Sequence, residues 1–435
     1  MFRLNQVLSF ILIAFASNVF SQSNMSSPYS RFGIGNLSGN ISTEQSAMGG
    51  SYVAFSSENS INFNNPATYS SLKPKSLLFS TSLITQGNEI STNQLNQKTI
   101  NTHFSQISIS MPLNKKIFLS SGILPYSSMG YILDHSEEDQ DLGIIDYNYN
   151  GEGGFNNYYI GTSMKLHQNL SVGMNASYLF GGISRNQTIE FEDPTIFNTD
   201  IEDRINISGF SFKTGFIFNR HFAEDKKISL AATFQDNSNV QAKRKFLGRT
   251  YEINNSSLFF KDTFQNNVDT GSMTLPSEIS AGILYDNTKW VFVVNYTMQN
   301  WQNYRMEYNN EIESDSLNNS TCLSAGVQYT PNYTSPNKYW KTISYRLGAR
   351  FNKSYLTIID NPLQERVLTF GLGIPVKKSN TFYNFSLDIG ERGLTNNNFF
   401  FLSTKTNYKL IKERFIRLSI GITFKGIWFV KRKYD

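Results

Sequence analysis

The sequence predicts an all-β protein: a 14-stranded antiparallel transmembrane β-barrel with an N-terminal plug (hatch) inside the lumen. From residue 76 onward, segments of about ten residues alternate apolar with small or polar side chains, as a strand between lipid and lumen must. The connections between these segments alternate between short and long. Charged residues form only 17% of the chain, whereas aromatic residues reach 14%. Together these features favour a membrane barrel.

The first element, residues 1–21, is predicted to be a signal peptide. Arg3 supplies a positive start, residues 7–20 are mostly apolar, and Val19 and Ser21 are small enough for cleavage before Gln22. The alternative is a buried N-terminal strand or helix. No cysteine follows the apolar stretch, which argues against a lipoprotein. We therefore expect the mature chain to be exported.

The composition argues against several classes of function. Cys322 is the only cysteine and the four histidines are scattered, so no metal site is predicted. The net charge of +5 is spread along the chain, unlike the concentrated basic face of a nucleic-acid binder. We found no glycine-rich phosphate loop and no nucleophile elbow. No enzyme activity and no cofactor are expected.

Fourteen strands account for the alternating segments. In "LSVGMNASYLF", residues 170–180, the apolar side chains share one face, and "RFIRLSIGITF", residues 414–424, repeats the pattern. The predicted strands begin near Ser76, Phe104, Lys116, Phe155, Leu170, Ile207, Lys227, Leu275, Lys289, Thr321, Ile343, Arg366, Thr381 and Arg414. A soluble β-sandwich would also alternate. Glycines and charges on the less apolar face fit a polar lumen better; the charged ones are Lys165, Lys213, Glu278, Arg346, Arg350, Asp388 and Arg417.

The connections orient the predicted barrel. "NKK", "HQN" and "DNTK" are short turns after the second, fourth and eighth strands, whereas residues 134–154 and 184–203 are predicted to be long polar loops. Bacterial barrels have short periplasmic turns, longer extracellular loops and an even number of strands. The sequence thus predicts an outer-membrane barrel over residues 76–424, followed by a periplasmic C-terminal tail over residues 425–435.

Residues 22–75 are predicted to be the plug. They include "ENSINFNNPATYSSL", which is rich in Asn and Ser and contains too few apolar residues to form a core of its own. The lumen of a barrel of about fourteen strands is too wide for its own side chains to fill. Composition alone leaves a disordered periplasmic tail as the alternative.

The plug segment resembles the hatch of the FadL/TodX outer-membrane transporters, in which a Met-Gly-Gly-like start leads to an Asn-Pro-Ala motif. The matching residues are Met48, Gly49, Gly50, Asn65, Pro66 and Ala67. The segments "SPYSRFGIGNLS", "GILPYSSMGY", "FGLGIPV" and "WFVKRKYD" are similar to a Bacteroidota branch of that family. The resemblance implies a plugged barrel that admits hydrophobic compounds, typically long-chain fatty acids or hydrocarbons, by diffusion without chemistry.

The third predicted strand contains Pro125, which cannot donate to the strand ladder and so indicates a local break. In the family, a kink in the third strand opens a lateral hole through which an apolar substrate leaves the lumen. The resemblance therefore makes Gly122, Pro125 and Ser127 the candidate lateral gate. The alternative is an ordinary bulge that opens nothing.

Arg346 and Arg350 face the predicted lumen on one strand and are candidates for binding the carboxylate of a fatty acid. Pairing with lumen acids such as Asp388, or with the plug, is the competing interpretation.

Three functions remain open at this stage. The first is passive uptake of apolar small molecules. The second is a structural or accessory subunit of an outer-membrane assembly, with the tail docking a protein partner, and the third is a water-filled porin. The expected partners are apolar small molecules, outer-membrane lipid and, during insertion, the barrel-assembly machinery. No nucleic acid is expected.

Overall fold

The computed structural model describes residues 27–92, 96–223, 225–254, 257–309, 311–313, 317–333, 335, 338–358, 361–377, 379–393 and 411–427. The predicted signal peptide and residues 428–435 of the predicted tail lie outside these residues. Within the described part of the chain, no helix has both the length and the apolar character needed to cross a membrane.

Nineteen strands and one short α-helix, α1 (Thr43–Ser46), make up the regular structure of the described residues, together with four 3-10 helices. The strands are β1 (Asn36–Leu37), β2 (Ser76–Ser91), β3 (Asn96–Pro112), β4 (Ile117–Asp139), β5 (Gly143–His167), β6 (Leu170–Phe191), β7 (Asn198–Ala223), β8 (Lys226–Gln235), β9 (Ser238–Asn254), β10 (Ser257–Leu275), β11 (Glu278–Asn287), β12 (Trp290–Gln299), β13 (Arg305–Tyr308), β14 (Glu311–Glu313), β15 (Ser320–Tyr329), β16 (Ser344–Ile358), β17 (Asn361–Pro375), β18 (Thr381–Arg392) and β19 (Lys412–Ile427). The 3-10 helices are Pro28–Arg31, Pro66–Ser71, Trp301–Asn303 and Tyr339–Thr342.

Fourteen of these strands close into a barrel. Antiparallel pairing runs from β2 through β8 in chain order, passes from β8 to β11 and β12, then to β15, and continues in order to β19. The ring closes because β19 pairs with β2 from residue 412 against 91 to residue 427 against 76. The predicted 14-stranded antiparallel barrel is confirmed. Its last strand extends to Ile427, into the first three residues of the predicted tail.

The wall of the barrel is apolar outside and polar inside. On β7, Phe210, Phe212 and Phe216 are 63%, 54% and 42% exposed, whereas the alternating Ser211 and Lys213 are buried. This alternation arises because successive side chains of a strand point to opposite faces. The predicted apolar outer face and polar inner face are therefore present.

The prediction of two long polar loops, residues 134–154 and 184–203, is wrong, because most of these residues form strands. β4 continues to Asp139 and β5 begins at Gly143; likewise β6 continues to Phe191 and β7 begins at Asn198. Only residues 140–142 and 192–197 connect them. These strands pair beyond the apolar band, where neither face has to be apolar, so the sequence alternation that marks a spanning strand is missing there.

This extension forms a sheet above the barrel at the end opposite the short turns. β9 pairs with β7 at residues 241–251 and with β10 along most of its length, which gives the order β4–β5–β6–β7–β9–β10. β8 and β9 are separated only by residues 236–237, and both pair with β7, one after the other along its length. β13 pairs with β10 only at residues 271–274. The rest of β10 forms an edge of the sheet within the described residues.

Residues 27–75 lie inside the barrel and form the plug. Met48, Val53 and Phe55 pack in one buried cluster with inward-facing wall residues such as Ile217 and Val293. Nearer the sheet extension, Tyr29 and Ile34 of the plug belong to a larger apolar cluster; its other members include Phe155, Leu179 and Ile205 of the wall, Met273 of β10 and Trp301 of a 3-10 helix. The plug therefore completes the core of the barrel.

Candidate functional site: plug, lateral gap and lumen cavity

The Met-Gly-Gly segment of the plug touches the backbone of the wall. Gly49 has a φ of +71°, and its N–H donates to Thr369 Oγ1 at 2.9 Å. A Cβ on Gly49 would lie 2.5 Å from the carbonyl oxygen of Ala349, closer than real contacts allow. The wall also has a glycine at this contact: a Cβ on Gly326 would lie 2.5 Å from the carbonyl oxygen of Met48. Glycine is required on both sides of this contact.

The Asn-Pro-Ala segment makes a second close contact. Asn65 caps the 3-10 helix Pro66–Ser71, since its Oδ1 accepts the N–H of Ala67 at 3.0 Å, and its Nδ2 donates to the carbonyl of Val53 at 2.6 Å. A Cβ on the wall residue Gly173 would lie 2.5 Å from the carbonyl carbon of Pro66. The six predicted hatch residues thus lie inside the barrel, and at Met48, Gly49, Pro66 and Ala67 the plug backbone itself meets the wall.

Buried polar contacts hold α1 against the wall. Arg346 Nη2 donates to Glu44 Oε1 at 2.7 Å, with the two side chains only 4% and 8% exposed. Arg346 also donates to Gln328 Oε1 at 2.7 Å. Ser46 Oγ donates to both carboxylate oxygens of Asp388 at 3.0 and 3.1 Å. The plug is therefore fixed by charge pairing as well as by packing.

The start of the plug has its own polar anchor. Ser27 Oγ hydrogen-bonds Glu413, and Arg392 donates to Glu413 Oε2 at 3.0 and 2.5 Å. The Tyr29 hydroxyl donates to the carbonyl of Ile411, and burial raises the pKa of Tyr29 to about 12. The phenol therefore keeps its proton, and with it this hydrogen bond, to a higher pH than an exposed tyrosine does.

A lateral gap separates β3 from β4. Their ladder covers only residues 107–112 of β3 against residues 123–118 of β4. Beyond it, residues 96–106 of β3 pair with β2, whereas β4 pairs with β5 and, at Ser127 and Ser128, with β1 of the plug. A plug strand thus occupies part of the edge of β4 that β3 leaves.

The three predicted gate residues lie at the start of this gap. Gly122 pairs with Ser108 near the end of the short ladder. Pro125 is followed by a register shift between β4 and β5, which leaves Tyr126 as the extra residue of a bulge. Ser127 pairs with Leu37 of the plug. That substrates pass through this gap remains a prediction.

A cavity of about 750 Å³ lies between the plug and the wall and reaches the gap. Its walls at the gap are residues 101–105 of β3 and residues 125–129 of β4. The charged and imidazole side chains that line it are His103, Lys213, Glu278, Arg350, Glu365, Arg392 and Arg417. The cavity thus has a mixed lining that carries both positive and negative side chains.

The two candidate carboxylate-binding arginines have carboxylate partners in the chain. Arg346 holds Glu44 of the plug, and Arg350 Nη2 lies 3.2 Å from Glu365 Oε1. Only Arg350 lines the cavity. Binding of an external carboxylate by either residue remains a prediction.

Sequence reasoning missed the acidic partners Glu44, Glu365 and Glu413. Inward alternation was the available signal for Glu365 and Glu413, whereas Glu44 had none. Among the described residues, no group of three or more His, Cys, Asp or Glu side chains could hold a metal ion.

The closed barrel and the plug that fills its lumen define the class: a plugged 14-stranded β-barrel of the FadL type. A FadL homologue of Pseudomonas aeruginosa superposes with a TM-score of 0.59 at 10% identity, over 88% of this chain and 98% of that chain. The toluene transporter TodX of P. putida superposes with a TM-score of 0.56 at 12% identity, over 89% of this chain and 98% of that chain. TbuX of Ralstonia pickettii, also a toluene transporter, superposes with a TM-score of 0.55 at 11% identity, over 89% of this chain and 99% of that chain.

At such low identities, these superpositions show a shared fold alone. Among curated protein sequences, none matches this chain. The whole chain, residues 1–435, matches the BamG family, and the protein belongs to that family.

Proposed function

We propose that the protein is an accessory barrel subunit of the machinery that assembles β-barrel proteins in the outer membrane, and that its extracellular sheet docks a protein partner. The observation that carries this proposal is the edge strand β10. Five large apolar side chains there are 49–60% exposed: Leu258, Phe259, Phe260, Phe264 and Val268. By the convention for bacterial barrels, this sheet lies on the extracellular side.

An exposed apolar edge outside the bilayer is a hazard for a protein that acts alone. Unpaired strand edges invite pairing with another chain, and contiguous exposed apolar patches mark interaction sites. Membership of the BamG family supports a partner in outer-membrane barrel assembly, because the family shares the Bam prefix of that machinery. The anchored plug also supports a structural role, because Glu44 and Ser46 hold it across the lumen.

The double variant Leu258→Asp/Phe259→Asp tests the docking proposal. Two charges on the exposed edge are expected to lower co-purification with the central barrel of the assembly machinery about tenfold, the loss that corresponds to about 1.4 kcal/mol. Affinity purification from solubilised outer membranes with quantitative mass spectrometry measures it. Phe197→Asp is the matched control, because Phe197 is 50% exposed at the same end of the barrel. Equal recovery with the double variant would refute the proposal.

The lateral gap favours a second candidate function: passive uptake of hydrophobic compounds, long-chain fatty acids or hydrocarbons, through the gap into the bilayer. The gap supports it because the cavity reaches the interrupted β3–β4 ladder at Pro125. The charged lining weighs against it, because an apolar solute would pass Arg350, Glu365 and Arg417. We therefore place it second.

Pro125→Val tests this second function. Valine restores a backbone donor where proline has none, and so favours continued pairing of β3 with β4. If the gap is the exit, uptake of radiolabelled toluene or oleate by cells expressing the variant falls several-fold. Pro375→Val is the control, because Pro375 ends β17, away from the gap. Unchanged uptake with Pro125→Val would remove the gap from the route.

A further inference from the structure

The gap opens at the level of the apolar outer surface. On β3, Phe104 and Ile100 are 65% and 60% exposed, beyond the last residue that pairs with β4. Ile100 pairs with Gly87 on β2, which in turn pairs with Ile416 on β19. Ile416, at the same height on the barrel, is 57% exposed. The gap, at which the cavity ends, therefore lies beside surface that is apolar on the outside of the barrel.

Arg417 is the cavity arginine least engaged by a carboxylate. Its Nη1 lies 3.6 Å from Asp388 Oδ2, beyond hydrogen-bond distance, and its Nε donates to Gln86 Oε1 at 2.9 Å. By contrast, Arg392 donates twice to Glu413. The Arg417 side chain remains 23% exposed to the cavity.

Arg417 also lies in line with the gap. It pairs with Gln86 on β2, which in turn pairs with Asn101 on β3, the strand at the edge of the gap. All three residues line the cavity. A polar row therefore leads from the gap to the guanidinium.

On the barrel side of the cavity, three buried polar atoms have no hydrogen-bond partner among the described residues: Ser127 Oγ, Asn157 Oδ1 and Ser419 Oγ. Two more, Asn40 Oδ1 and Thr43 Oγ1, lie on the plug side. Ser127, Asn157 and Ser419 are only 2%, 4% and 1% exposed. Buried polar atoms are normally paired, because an unpaired one loses its hydrogen bonds to water without replacement. Ser127 lies at the gap, and Ser419 is two residues from Arg417 on the same face of β19. These residues make the cavity lining polar beside the gap and beside Arg417.

We propose that the cavity binds the phosphate-bearing headgroup of a bilayer amphiphile, which enters sideways through the β3–β4 gap while its hydrocarbon chains stay in the membrane. Arg417 holds the phosphate, because a guanidinium offers several donors in a geometry that matches phosphate oxygens. Gln86, Ser127 and Ser419 complete the polar surroundings. Glycerophospholipids and lipid A share this chemistry. The inference does not rest on the proposed role in assembly.

Native mass spectrometry of the full-length mature barrel in nanodiscs tests the proposal. One set of nanodiscs contains phosphatidylethanolamine and phosphatidylglycerol, and the other also contains lipid A. One phosphate lipid per barrel is expected to survive ejection from the nanodisc. Its mass identifies the source as a glycerophospholipid or lipid A.

Arg417→Gln is expected to lower this occupancy about tenfold, which corresponds to about 1.4 kcal/mol. Arg417→Lys, which keeps the charge but loses the fork of donors, should retain an intermediate occupancy. Arg305→Gln on β13 is the matched control, because Arg305 is exposed and outside the cavity. Heat-modifiable migration in gels verifies that each variant is folded. No retained lipid with the wild type, or equal retention with folded Arg417→Gln, would overturn the proposal.

Discussion

Gly348→Val is expected to displace the plug and make the barrel conduct ions. A Cβ at this position on β16 would lie 2.1 Å from the backbone nitrogen of Gly49 and 2.3 Å from the carbonyl carbon of Met48. No rotamer change relieves a clash with backbone, so the plug segment has to move. Overpacking of a filled interior costs typically 1–3 kcal/mol even when side chains can adjust. Planar-bilayer recordings of the purified barrel measure the result as new open-channel current.

The control for this experiment is Gly87→Val on β2. There the nearest atom to an added Cβ is the carbonyl oxygen of Thr99, at 4.0 Å, so the position has room for a side chain. Gly87→Val should leave the barrel as silent as the wild type. A folded Gly348→Val barrel without added current would mean that the plug adjusts without opening a path.

The membrane explains why the barrel could be predicted from sequence. Lipid on one side and lumen on the other impose a period of two, and the predicted strand starts at Ser76, Leu170 and Thr381 are those of β2, β6 and β18. Outside the bilayer this constraint ends. The sequence therefore predicts loops for residues 134–154 and 184–203, although all of them except residues 140–142 and 192–197 belong to strands.

The plug shows the limit of sequence reasoning at the site. Its motif residues could be recognised, and Arg346 and Arg350 could be placed facing inward from alternation alone. Their partners could not, because Glu44 is 302 residues away from Arg346 and nothing local links the two. The short β3–β4 ladder was equally hidden. Pro125 marks a break in one strand, but it predicts neither that the ladder ends at residue 123 of β4 nor that β1 of the plug pairs with Ser127 and Ser128.

Glu44→Gln is expected to release α1 from the wall. It removes the anionic partner of the buried Arg346 guanidinium, and breaking a buried ion pair in this way costs roughly 3–5 kcal/mol. Arg346→Gln should do the same by leaving the Glu44 carboxylate buried alone. Hydrogen exchange with mass spectrometry, applied to residues 42–50, measures the effect as faster exchange of the plug amides. Arg346 is one of the two predicted carboxylate-binding residues, so the experiment also tests whether its charge serves to hold Glu44 of the plug.

The double variant Glu44→Gln/Arg346→Gln separates charge pairing from packing. With both charges removed, no uncompensated ion stays buried, and two amides can still hydrogen-bond, so exchange should return towards the wild-type rate. As a control, Glu58→Gln breaks a plug ion pair with Lys73 whose side chains are 46% and 60% exposed. An exposed pair contributes about 1 kcal/mol or less, so exchange should change little. If the two buried single changes simply added in the double variant, the ion pair would not be what holds the plug, and packing of Met48 and Val53 would carry its anchorage.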